Sequence, residues 1–359
     1  MYRNSYVEIN LDCIKNNALY FKNRSEKNLI GVVKANGYST VDYMEIRALK
    51  EAGVDFFAVS SLNEALHLRR HEITDKILIL GYVPEEYMDV VRNNNFSVVT
   101  VSKEYVEKCN LEGINVHLKI NTGMNRIGIK PDEADEVLKM LLNKGANVEG
   151  IMSHFSSADF DEEYTKKQYG TFKQCVESLH YSFKYIHMSA TDGALLIDDD
   201  ICNYQRIGLG LLGFSSYDKN LKPAIKLYSE VCMVKQIDEG ETVSYGRHFT
   251  SDGNGYILTL PIGYADGFYR ANTGKNVYIK EEYAPIVGSI CMDQMMIHTD
   301  KYYEVGTKVE LFGEHISIEQ RADELGTIVY ELITSLSDRL TRVYIKDGKL
   351  YEIREPRIS

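Results

Sequence analysis

None of the six cysteines (Cys13, Cys109, Cys175, Cys202, Cys232, Cys291) stands in a CxxC pair. That speaks against a zinc site or a disulfide framework and for reduced thiols in a cytosolic protein. No metal is expected. No stretch approaches the roughly 18 apolar residues that a membrane span needs. The N-terminus, MYRNSYVEINLDCIKNN, is broken by polar residues every few positions and so lacks the apolar core of a signal peptide. The expectation is a soluble, cytoplasmic protein. Positive charge is also scarce: 41 Lys and Arg face 52 Asp and Glu, a formal net charge of −11. Long-range repulsion then opposes a nucleic acid or an anionic membrane as partner and leaves small metabolites.

An apolar share of 44% with 26% charged residues is ordinary for a folded chain. From residue 28 to about 210, eight short apolar runs recur: LIGVVKA (29–35), DFFAVSS (55–61), KILILGY (76–82), FSVVTVS (96–102), NVHLKIN (115–121), VEGIMSH (148–154), FKYIHMS (183–189) and YQRIGLG (204–210). Stretches such as MEIRALKEAG and DEADEVLKMLLNKG lie between them, with apolar residues three and four apart, as in helices packed on a buried sheet. Eight alternations in under 200 residues predict a closed (β/α)8 barrel over residues 1–223. An open doubly wound sheet is the alternative, but no GxGxxG follows an early strand. After Pro223 the texture becomes strands separated by turns such as SDGNG and NTGK, predicting a mainly β domain over 224–359 with one helix at about 317–337.

In such a barrel the reactive groups sit where strands end at the C-terminal face. Five runs carry a cationic or titratable residue there: Lys34, Lys119, His154, His187 and Arg206. Each alone could be a solvated strand cap; five together point to a site. A lysine at a barrel mouth suits a Schiff base with an aldehyde cofactor, because partial desolvation keeps some amine neutral. Pyridoxal phosphate also needs an anion cradle, which the glycines of RIGLG and the hydroxyl of Thr191 could provide.

These segments resemble, nearly end to end, the alanine racemase family of fold-type III pyridoxal-phosphate enzymes. VVKANGY is similar to that family's VVKANAYGHG, which implies Lys34 as the cofactor-bearing lysine and Tyr38 as a phosphate contact. LKINTGMNRIGI resembles LKxDTGMxRxG, which implies Arg126 near the cofactor phenolate and the substrate carboxylate, and Lys119 as a lysine carbamylated in many members. SHFSSAD carries His154, and HMSAT carries His187 with Thr191 at a phosphate-binding serine position. RIGLGLLG resembles RPGIxLYG, implying Arg206 at the pyridine nitrogen and backbone amides of Gly208 and Leu209 at the phosphate. LPIGYADG implies Tyr264 as second base, and CMDQMMI places Met292 and Asp293 near the substrate carboxylate.

The resemblance further implies racemisation of a small amino acid, alanine first, by two groups flanking Cα, Lys34 and Tyr264. Tyr264 would need help toward ionisation, from His154 or Arg206. It also implies a head-to-tail homodimer in which Tyr264 and Met292 act on the partner's barrel. The chain departs from the pattern twice. YSTV (38–41) replaces YGHG, and LSDRLTR replaces INYRVPR, placing Asp338 where many members carry a tyrosine. A polar acceptor there makes serine a candidate substrate, since a buried hydrogen-bonding group discriminates strongly for a hydroxyl. Two other classes stay open: a fold-type III decarboxylase, which would need a CxSxD-type motif where CMDQ stands, and a non-catalytic pyridoxal-phosphate carrier, whose single-barrel relatives lack the second domain.

Overall fold

A computed structural model describes residues 1–355. The chain divides into two compact units, Cys13–Lys222 on one side and Met1–Asp12 with the residues from Pro223 onward on the other.

In the first unit, strands β2 (Asn28–Val32), β3 (Phe56–Val59), β4 (Lys76–Ile79), β5 (Ser97–Val99), β6 (Asn115–Lys119), β7 (Asn147–Met152), β8 (Tyr185–His187) and β9 (Tyr204–Ile207) follow β1 (Ser5–Asn10) of the other unit. They pair in parallel, in chain order, into a closed barrel. Each coincides with one of the eight apolar runs, β2 and β7 starting one residue before theirs. Phe56–Val59 is buried throughout, as a parallel strand covered on both faces must be. The covering helices carry the expected stripe: along Ala134–Asn143, Val137, Leu138 and Leu141 are buried while Asp135 and Glu136 lie in the first turn. Side chains start several of them. Ser61 and Glu64 form a capping box, and the Asp161 carboxylate accepts from the Tyr164 N–H at 2.9 Å. Phe56, Tyr185 and Tyr204 pack edge to face at 5.2–6.0 Å inside the strand starts, so the barrel is plugged at that end and its chemistry is confined to the other.

The second unit holds a ten-stranded sheet in the order β11-β14-β17-β16-β15-β18-β10-β1-β19-β20. Its strands are β10 (Ile225–Glu230), β11 (Met233–Ile237), β14 (Gly255–Leu260), β15 (Asn276–Ile279), β16 (Glu282–Val287), β17 (Met295–Thr299), β18 (Lys308–Phe312), β19 (Thr341–Lys346) and β20 (Lys349–Arg354). A separate small pair joins β12 (Thr242–Val243) to β13 (Phe249–Thr250).

Two expectations change. The sequence places residues 1–223 together, yet β1 pairs antiparallel with β10 and parallel with β19, so the first twelve residues cluster with the β unit. The expected helix at 317–337 is two, Ile318–Leu325 and Val329–Thr334. Gly326 adopts φ 66°, and the N–H groups of Gly326 and Thr327 turn back to the carbonyls of Asp323 and Ala322, which ends the first helix. Among the described residues all six cysteines are free thiols, and no helix is long and apolar enough to cross a membrane.

Candidate active site

The chain leaves β2 through a left-handed turn that begins right after Lys34. Ala35, Asn36, Gly37, Tyr38 and Ser39 have φ of 53°, 56°, 62°, 51° and 70°. L-residues disfavour this region by about 1–2 kcal/mol each, so the turn must be held from outside. Within it, Gly37 N–H reaches Val33 O at 2.9 Å and Val41 N–H reaches Asn36 O at 3.0 Å. From outside, the Glu64 carboxylate accepts Ala35 N–H at 2.8 Å with one oxygen and Ser60 N–H at 2.6 Å with the other. This turn folds Tyr38 back into the interior, against the loop after β9. A Cβ at Gly208 would lie 2.3 Å from Tyr38 Oη, so the hydroxyl occupies the place of a side chain there. Thr191 Oγ1 accepts Gly210 N–H at 2.9 Å. Lys34, Tyr38, Thr191, Gly208 and Leu209 are thus gathered at the closing ends of β2 and β9, around a glycine-lined cradle of hydroxyls and backbone.

Beneath it lies Arg206, 3% exposed. Its guanidinium donates to the carbonyls of Ser153 at 2.9 Å and Met188 at 2.8 Å, to His154 Nδ1 at 3.0 Å and to His187 Nδ1 at 2.7 Å. Guanidinium only donates, so His187 Nδ1 is an acceptor and Nε2 carries the proton. His187 Nε2 then donates to His117 Nδ1 at 2.8 Å, and His117 Nε2 to Glu149 Oε1 at 3.3 Å. Lys76 and Ser97 complete the chain, at 2.7 and 2.6 Å from Glu149. One buried line of hydrogen bonds therefore runs down the barrel from Arg206 to Glu149, and its polarity is set by the end that cannot accept.

Burial, seconded by the Arg206 charge, pushes His187 and His154 well below the usual imidazole range, so both are neutral. Burial, with Arg126 adding to it, lowers Arg206 only to about 10, so it stays charged. Burial would raise Glu149, but the hydrogen bonds from His117, Lys76 and Ser97 outweigh it and hold the carboxyl at about 2. A depressed carboxyl stabilises the fold above the ordinary carboxylate pKa, and that stability is lost as pH falls toward about 2. Glu149→Gln should therefore cost about 3 kcal/mol at neutral pH, at 1.36 kcal/mol per unit. Thermal unfolding of both proteins across acid pH should show the gap closing; a gap independent of pH would refute it.

Two further cations border this site. Lys119, the last residue of β6, is buried, and burial followed by the charges of Arg206 and Arg126 lowers its amine to about 7. Arg126 is exposed in a loop where Asn121 Oδ1 accepts the N–H groups of Gly123 and Asn125 at 3.1 and 3.0 Å. Burial, then the charge of Arg126, also lowers the Lys34 amine, against a weaker upward pull from Glu64. Lys34, Lys119, Arg126 and Arg206 together make this end of the barrel suited to an anion.

The other unit gathers the remaining candidates. Tyr264 and Ala265 donate their N–H groups to the carbonyls of Cys291 and Met292, at 3.1 and 3.0 Å. Asp266, fully buried, takes a bidentate pair of bonds from Arg3 at 2.5 and 2.7 Å and accepts Gly263 N–H at 2.9 Å. Ser337 N–H reaches Asp266 O at 3.1 Å, Arg339 holds Asp293 at 2.6 Å, and Asp338 lies 4.0 Å from Arg342. Tyr264, Met292, Asp293 and Asp338 are therefore neighbours, with Tyr264 41% and Met292 53% exposed.

Glu64, His117, Glu149 and Asp266 escaped the sequence reading. Signals existed for two of them. Ser61-x-x-Glu64 is a capping-box pattern at a helix start, and His117 lies two residues before Lys119, hence on the same face of one strand.

A family model for the alanine racemase N-terminal domain matches residues 9–216, and one for the alanine racemase C-terminal domain matches residues 224–344. The alanine racemase of Staphylococcus epidermidis is 38% identical over 369 aligned positions, covering 97% of this chain and 96% of that protein. The crystal structure of the Bacillus anthracis alanine racemase with bound L-Ala-P superposes with a TM-score of 0.92 at 34% identity, covering 99% and 98% of the two chains. A histidine racemase from Leuconostoc mesenteroides subsp. sake superposes with a TM-score of 0.89 at 25% identity, covering 96% and 99%. This chain belongs to the alanine racemase family and is an isomerase of that type.

Proposed function

We propose that the protein racemises a small amino acid, alanine foremost, with pyridoxal 5'-phosphate held in the barrel mouth and Lys34 and Tyr264 as opposed acid–base groups. The observation that carries this is the turn that sets a partly desolvated lysine beside the hydroxyl and glycine cradle, over a buried arginine. The residues fit the cofactor. Lys34 offers an amine with lowered pKa to an aldehyde. The place a Cβ at Gly208 would fill is bordered by Tyr38, and Thr191 holds the N–H of Gly210 two residues on; both hydroxyls are donors suited to a phosphate, with the backbone of Gly208 and Leu209 beside them. When bound, the cofactor would supply an electron sink that acidifies the Cα–H of the attached amino acid.

Arg206, buried and always charged, would face the pyridine nitrogen and leave it unprotonated, which limits side reactions. Arg126 would hold the phenolate and the substrate carboxylate, with Met292 and Asp293 beside that carboxylate. Lys34 on one face and Tyr264 on the other would each take the Cα proton of one enantiomer and return it to its mirror image. His154, a neutral donor, and Arg206, a charge, would be the groups of the barrel that face the Tyr264 hydroxyl. An amine near 7 leaves Lys119 partly neutral, as carbamylation requires, and Arg126 would pair with the resulting anion. The two bases would meet across a homodimer, Tyr264 and Met292 of each subunit serving the other's barrel. The protein would be cytoplasmic and without a nucleic-acid or membrane partner, and its product would be D-alanine for the cell wall.

Serine is the second reading, carried by Asp338. That residue is 88% exposed beside the Tyr264 turn, not buried as the serine expectation assumed, so it would act as a discriminating carboxylate acceptor for a hydroxylated substrate only where substrate and partner subunit cover it. A histidine racemase shares this architecture, so the fold alone does not fix the substrate side chain. The test compares the rates at which cofactor-loaded protein converts L-alanine and L-serine to their D-forms, in wild type and Asp338→Tyr. Faster alanine turnover supports the first reading. Faster serine turnover that Asp338→Tyr lowers by about tenfold or more, the scale of a lost polar contact, supports the second. Turnover of neither sinks both.

A further inference from the structure

Glu45 lies in the helix Asp42–Glu51, fully buried, behind the turn that carries Lys34. Its Oε1 has no hydrogen-bond partner, and its Oε2 lies 3.1 Å from Thr40 Oγ1. Thr40 Oγ1 is in turn 2.7 Å from the carbonyl oxygen of Gly37. A threonine hydroxyl has one proton, and a carbonyl can only accept, so the shorter contact takes it. The contact to Glu45 then needs its proton from the carboxyl.

We propose that Glu45 is held as a neutral carboxylic acid that donates to Thr40, which donates to Gly37, and that this latch is a positioning element for the turn bearing Lys34 and Tyr38. Ionised, the group would be a buried charge whose Oε2 faces a hydroxyl that has given its proton to Gly37 O and whose Oε1 meets no donor. The neighbouring charges do not help. Asp42, on the same helix, repels it and is itself paired with His67 at 3.4 Å; Glu64 grips the far side of the turn at Ala35. Burial foremost, and Asp42 with it, drive the Glu45 carboxyl well above the ordinary range; the contact with Thr40 would pull it down only if Thr40 donated to it, and that proton goes to Gly37 O.

The latch also accounts for Thr40 in the first departure from the family pattern, and for Gly37 just before it. A Cβ at Gly37 would fall 2.6 Å from Glu45 Oε2 and 2.7 Å from Thr40 Oγ1, at φ +62°. Where the resembled motif has alanine at this place and histidine three residues on, this chain has Gly37 and Thr40. The two changes go together, since the glycine vacates the space in which the hydroxyl and the acid meet.

The consequence for cofactor binding rests on the function proposed above; the protonation state does not. Because the folded pKa is raised, the stabilising effect is complete below the ordinary carboxylate pKa and is lost as pH rises through the raised value. The experiment is infrared difference spectroscopy of the full-length protein at neutral pH, wild type minus Glu45→Gln, with cofactor titration by absorbance on the same samples and on Thr40→Val. The expected results are a protonated-carboxyl C=O band present only in wild type, and pyridoxal-phosphate affinity kept in Glu45→Gln. In Thr40→Val the affinity should fall about tenfold, the scale of one buried hydrogen bond to a polar group left unpaired. Absence of the band, or loss of affinity in Glu45→Gln equal to that in Thr40→Val, overturns the latch. Should wild type bind no cofactor, the function above fails, while the band still decides the protonation state.

Discussion

Tyr264→Phe is expected to slow racemisation of alanine by about a hundred- to ten-thousandfold, the usual worth of a positioned acid–base group. The substitution removes one hydroxyl from a side chain that is 41% exposed. It leaves in place the backbone bonds to Cys291 and the buried Arg3–Asp266 pair that fix the turn. Unfolding temperature should therefore not change, which separates lost chemistry from lost structure. Lys34→Ala should go further and fall to background, since on the proposed mechanism it removes both a base and the amine that would take up the cofactor. Steady-state rates in both directions measure these effects. Tyr264→Phe within a few-fold of wild type would mean that some other group protonates that face.

Mixing the two inactive proteins should bring activity back. Lys34 belongs to the barrel unit, and Tyr264 and Met292 are exposed on the β unit. In a symmetric dimer with shared sites, a mixed pair has one intact site and one site lacking both groups. Equal mixing makes half of the dimers mixed, so about a quarter of the wild-type rate should return. Recovery after subunit exchange, with mixed dimers confirmed by native mass spectrometry, would establish action across subunits. Mixed dimers without activity would place both residues in one subunit.

The barrel was legible because buried parallel strands are continuous apolar runs, and eight of them set the closing number. Strand ends also exposed Lys34, Lys119, His187 and Arg206, whose polar side chains interrupt those runs. The β unit was less readable. Ser5–Asn10 is a short alternating segment whose partners, Ile225–Glu230 and Thr341–Lys346, lie over two hundred residues away in the chain, and no local pattern reveals such pairing. Gly326 was visible, but a glycine in a helical pattern does not by itself say whether the helix ends or continues. The left-handed turn after Lys34 was hidden for a similar reason. Four of its five residues are not glycine, and they hold that conformation only because Glu64, Thr40 and Glu45 surround it. The polarity of the Arg206–His187–His117–Glu149 line needed the distances, since composition cannot say which imidazole nitrogen meets which partner.

That two groups on opposite faces of Cα share the reaction, as proposed, is tested most directly by solvent exchange. Cofactor-loaded protein in deuterated water, given L- or D-alanine, should convert each to its mirror image with one solvent deuteron at Cα. Under the same conditions, Tyr264→Phe should exchange the Cα hydrogen of only one enantiomer, slowly and without inverting it, because Lys34 still serves that face. Exchange of both enantiomers by Tyr264→Phe, or no Cα exchange by the wild type with alanine or any other amino acid, would contradict it.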